Sequence, residues 1–93
     1  MKDVTDTVSP ALMAKVKAWG STLKVTEMGG GLYIAQSAYT TAHANTAGGA
    51  VHNWLWKRTA DAVNAANHAN AGGSYGDIVT LDGFFRAHPE VRL

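Results

Sequence analysis

The chain has no cysteine. That removes disulfides, thiolate zinc sites, iron–sulfur clusters and cysteine nucleophiles together. Charge is also scarce, at 16% of residues, and the eight Lys and Arg are nearly balanced by seven Asp and Glu. A net charge of +1 lacks the electrostatic footprint of a strong nucleic-acid binder, and the apolar content excludes a disordered charged tail. No run approaches the ~18 apolar residues of a membrane span, and the start lacks the three-part pattern of a signal peptide. The expectation is a cytoplasmic chain that does not enter a membrane. Large apolar side chains are few: the apolar fraction is 46%, but sixteen residues are Ala. Ninety-three residues suffice for one domain with a small, tightly packed core, and exclude a separate cofactor module.

What is present divides into punctuated segments. Residues 1–8 are polar and read as a flexible lead-in to a single domain over 1–93. Ser9-Pro10 is a helix start, a hydroxyl cap before a proline whose missing N–H costs nothing there. Leu12, Val16 and Trp19 follow at helical spacing, and Gly20 is the expected terminator. Residues 22–27 alternate polar and apolar, and Leu32-Tyr33-Ile34-Ala35 is a second strand-like run. The glycines of Met28-Gly29-Gly30-Gly31 join them as a hairpin. Residues 78–81 are a further short strand candidate.

From Gln36 to Asn70 the composition turns to Ala, Asn, His and Thr, and two helices are expected, over 37–47 and 50–71, divided by Gly48-Gly49. Val51, Leu55, Thr59, Ala62, Ala66 and Ala69 form one stripe of the longer helix, and Gly72-Gly73 stops it. Thr80 caps a last short helix carrying Leu81, Phe84 and Phe85, which Pro89 ends. The expected fold class is α+β: three to four helices packed on a small antiparallel β-hairpin sheet, with 50–71 as the central helix.

The parts of an enzyme are hard to find. His43, His52, His68 and His88 form no i, i+4 pair, and no H-E-x-x-H accompanies them. The carboxylates show no spacing that pairs two for acid–base work. Ser74 lies in Gly-Gly-Ser-Tyr-Gly, which is not a nucleophile elbow. None of the glycine clusters is a phosphate loop. The expectation is no catalytic residue, no metal and no cofactor, with a histidine-dependent enzyme as a remaining alternative.

The segment His52-Asn53-Trp54-Leu55-Trp56-Lys57-Arg58 is more informative. With Leu55 inward, Trp54 and Trp56 lie about 100° to either side of it. One can finish the core, and the other then stands at the rim beside Lys57 and Arg58. An aromatic with adjacent Arg suits an interface anchor. Asn64, Asn67 and Asn70 make a polar, uncharged row that can read hydrogen-bond edges. The candidate contact patch is therefore Trp54 or Trp56, Lys57, Arg58, Asn64 and Asn67.

The order of hairpin, Gly-x-Tyr-Ile-Ala, Ala-rich helix, and Trp54-Leu55 opening a longer helix with Thr59 resembles the KilA-N type of phage DNA-binding domain across 22–66. It departs from that pattern at Ala35, where the family usually has Asn. The resemblance implies a small DNA-binding regulator. Composition points first elsewhere: to a non-enzymatic binding module, a stoichiometric regulator or inhibitor of a macromolecular partner, with protein favoured over nucleic acid on charge. A homodimer is one form that partner takes. Small phage or mobile-element regulators offer an analogy of size and composition.

Overall fold

The computed structural model describes residues 1–69 and 79–93. The hydroxyl of Ser9 accepts from the Leu12 amide at 3.2 Å and Pro10 opens helix α1, Pro10–Ala18. Gly20, at φ +68°, turns the chain away. Strands β2 (Lys24–Gly29) and β3 (Leu32–Gln36) then form the expected hairpin, and Gly29, Gly30 and Gly31 all have positive φ. The hairpin is the middle of a larger sheet. Strand β1 (Lys2–Asp3) pairs with β2, and β4 (Thr41–Ala44) pairs with β3, giving an antiparallel order β1-β2-β3-β4.

Both additions differ from the sequence expectation. Residues 1–8, read as a lead-in, place Val4 and Val8 in the core. Thr5 holds them there: its hydroxyl accepts from the Val25 amide at 3.0 Å, while Val4 N–H donates to Val25 O at 2.9 Å. Asp3 Oδ1 in turn accepts from the Thr5 amide at 2.9 Å and the Thr5 hydroxyl at 2.6 Å. Those bonds hold the Asp3 carboxyl below the ordinary aspartate value, with Lys24 adding a smaller pull.

The helix expected over 37–47 is instead a short loop and β4. Ser37 N–H donates to Thr40 O at 2.9 Å, closing the loop. Across the next three strands Val25, Ala35 and Ala42 stand in register, each at most 2% exposed. Burial of Ala42 on that inner face outweighs the helical leaning of an Ala-rich stretch.

Helix α2 (Ala47–Ala69) lies across this inner face. Thr46 caps it, accepting from the Gly49 amide at 3.0 Å, so Gly48 and Gly49 fall in its first turn rather than between two helices. Ala50, Val51, Trp54, Leu55 and Thr59 are fully buried. The stripe then fades: Ala62 and Ala66 are half-buried and Ala69 is exposed. Length explains this. Twenty-three helical residues span about 34 Å, against about 20 Å for a six-residue strand. The overhang meets helix α3 (Leu81–Ala87) and the 3₁₀ turn Pro89–Val91 instead of the sheet.

Among the described residues the core therefore has two clusters, one between sheet and α2 and one around Phe84, Phe85 and Val91, with Trp19 and Leu93 packed against both. Trp19 stacks on Phe84 with centroids 6.1 Å apart and rings 11° from parallel. Thr80 caps α3 as expected, accepting from Gly83 N–H at 3.1 Å, so the part of the 78–81 strand candidate that is described (Val79, Thr80, Leu81) is a cap and a helix start. Asn70, Gly72-Gly73, Ser74, Asp77, Ile78 and the last two residues of the expected 50–71 helix lie outside the described residues. The result is α+β with a four-stranded antiparallel sheet and, among the described residues, three α-helices, one of them long. None of these helices is long and apolar enough to cross a membrane.

Candidate functional site

The two tryptophans of α2 divide between core and rim. Trp54 is wholly buried, and its Nε1 donates to Ser37 Oγ at 3.1 Å, satisfying the one polar atom it brings inside. It belongs to the core and offers nothing to a partner. Trp56 is 40% exposed. Its indole Nε1–H donates to His52 Nε2 at 2.9 Å, one helical turn back, and the two rings meet edge-on. The indole is exposed and also held in one orientation.

Beside Trp56 the helix passes the free edge of the sheet. Asn53 Nδ2 donates to His43 O at 3.0 Å, and Lys57 Nζ donates to Thr41 O at 2.6 Å. Asn53 and Lys57 are four residues apart, so they lie on one face of α2 and reach alternate carbonyls of β4. A polar helix face thereby covers an edge that would otherwise pair with another strand. Between β4 and α2 is a shallow groove of about 410 Å³, lined by Ala42, His43, Asn53, Trp56 and Lys57. It carries two ring side chains, a cation and, among the described residues, no carboxylate.

The remaining patch candidates fall elsewhere. Arg58 is half-buried, its guanidinium carbon 4.9 Å from the centre of the Trp19 ring. At ~100° per residue it stands about 160° round the helix from Trp56, so one partner surface does not cover both easily. Asn67 clamps the chain to itself: its Nδ2 donates to Val79 O at 3.0 Å and its Oδ1 accepts from Val79 N–H at 2.6 Å. Asn64 is exposed on the side of Asn53 and Lys57. The structure thus joins Trp56, Lys57 and Asn64 on one flank, away from Trp54 and Arg58, while Asn67, on that same flank one turn beyond Asn64, is taken up by Val79.

Two residues absent from the expected patch belong to the groove, His43 and Asn53. The period-2 alternation of Thr41-Ala42-His43-Ala44 was the signal for His43, since it marks a strand beside the helix. All four histidines are exposed, and among the described residues no three His, Asp or Glu side chains converge as metal ligands do. No family model, curated protein or solved structure matches the chain. The resemblance to KilA-N domains rests on the residues of 22–66 alone, and where it implies an Ala-rich helix the chain has β4.

Proposed function

We propose that this chain is a non-enzymatic binding module that regulates or inhibits a protein partner, and that Trp56 is the centre of its contact surface. The observation that carries the reading is an exposed indole fixed by His52 at the lip of a groove. A rigid aromatic at a rim gives a partner large apolar contact at little entropic cost, which is the chemistry of an interface anchor. His43, Asn53 and Lys57 supply a polar border of neutral-to-positive character, suited to a partner with carboxylates around an apolar pocket. The scatter of histidines over β4, α2 and the end of α3 also favours binding over catalysis.

Affinity capture from the native host, with and without nuclease, tests this. Wild type and Lys17→Ala should retain the same discrete protein after nuclease treatment, and Trp56→Ala should lose it. Lys17 is exposed on α1 and serves as the control; its neighbour Lys15 instead ties α1 to Arg92 O at 3.1 Å. Loss of the captured species on nuclease treatment would favour the DNA-binding reading. Sedimentation of the purified chain tests the homodimer: self-association abolished by Trp56→Ala would make a second copy the partner.

A further inference from the structure

On the other side of α2, Arg58 lines a second depression, a polar cleft of about 450 Å³ between the α1–β2 connection and the β3–β4 loop. Its position is unusual for a chain with so few charges. The guanidinium lies over the face of Trp19, which shields one side of it and orients its edge. Among the described residues no carboxylate lies within 4.0 Å of it, the His88 Nδ1–Glu90 Oε1 contact at 3.5 Å standing elsewhere, and none of them accepts a hydrogen bond from it. Facing the same cleft are Gly20, Ser21, Thr22 and Thr40. Ser37 also lines it, but its hydroxyl is committed, accepting from Trp54 and donating to Thr40 O at 3.2 Å.

We infer that this cleft is an oxyanion site that takes the phosphate of a small phosphomonoester. A guanidinium whose donors have no acceptor among the described residues is the strongest anion-binding group they offer, and its fork matches two phosphate oxygens. Ser21 and Thr22, which line the same cleft, carry hydroxyls that suit the remaining oxygens of a tetrahedral anion. A planar carboxylate would be satisfied by the arginine alone. The cleft exceeds the size of a free anion, leaving room for the group that carries the phosphate. This site is independent of the Trp56 groove, and its failure leaves that reading untouched.

The test is titration with inorganic phosphate at constant ionic strength, followed by backbone amide NMR shifts at Ser21 and Thr22 and by the indole N–H resonance of Trp19. Wild type and Lys17→Gln should saturate with the same midpoint, and Arg58→Gln should lose saturable binding. Arg58→Gln also removes the contact with Trp19, so its fold is checked by far-UV circular dichroism. Thr22→Val, an exposed and nearly isosteric change, should weaken binding several-fold without touching that stack. Acetate should bind at least ten-fold more weakly than phosphate. Non-saturable shifts, equal binding of acetate, or a midpoint unchanged in both Arg58→Gln and Thr22→Val would overturn the assignment.

Discussion

A Cβ built on Gly48 meets nothing within 4 Å, whereas one on Gly49 meets Thr46 Oγ1 at 2.7 Å and Ala44 Cβ at 3.2 Å. Both are in the first turn of α2, so glycine costs chain entropy at each. Gly48→Ala should stabilise the fold by about 0.5–1 kcal/mol, since the new methyl points into open space. Gly49→Ala should destabilise it, because the capping hydroxyl must give way, and loss of a cap costs about 1 kcal/mol. Paired thermal melts check this, and a gain in both variants would contradict the cap geometry. Asp3 carries a prediction of a different kind. Its carboxyl is held low by Thr5, so its contribution is present above the unfolded value and lost as pH falls through the folded one. The Tm difference between wild type and Asp3→Asn should therefore narrow below about pH 3.8, the ordinary aspartate value. A difference constant across that range would exclude the role.

At the scale of elements, α2 has two halves with different neighbours. Its first half is held by the sheet, and its second by α3 and the segment that Asn67 clamps. Asn67→Ala leaves the Val79 amide and carbonyl without those partners, a loss of about 1–3 kcal/mol. Hydrogen exchange should show it as faster opening of α3, with α2 protection near Leu55 retained. Uniform loss across both halves would mean that the clamp is not local. The elements most legible in the sequence were those with punctuation of their own: Ser9-Pro10, Gly20, the three-glycine turn and the Thr80 cap. β4 was obscured because its buried residue is Ala42, which reads as helical when its partners Val25 and Ala35 are unknown. β1 was obscured because two residues cannot show a period, and only pairing with β2 makes them a strand. The stripe of α2 was legible to Thr59, and beyond it the periodicity could not reveal where the sheet ends.

For the whole molecule, the division of labour between the two tryptophans was half legible: spacing put both beside the buried stripe and allowed one to finish the core, and only packing decided that Trp54 is inside. Arg58 was expected at a contact surface for its place beside a rim tryptophan, and Asn67 for its place in a row of amides. The structure engages Arg58 with Trp19 and Asn67 with Val79. His43 and Asn53 were missed because the groove joins two elements distant in sequence, one of which was read as a helix. What remains as the proposed contact surface is Trp56, with His43, His52, Asn53 and Lys57 around it. The most direct measurement is the affinity of the captured partner for wild type, Trp56→Ala and Lys17→Ala, each at low and high salt. An anchoring indole predicts that Trp56→Ala weakens binding by about 2 kcal/mol, roughly thirty-fold, through faster dissociation. It also predicts that wild-type affinity changes little with salt, and that Lys17→Ala binds as wild type does. Equal affinity of Trp56→Ala and wild type, or a steep fall of affinity with salt of the kind phosphate contacts produce, would contradict the account.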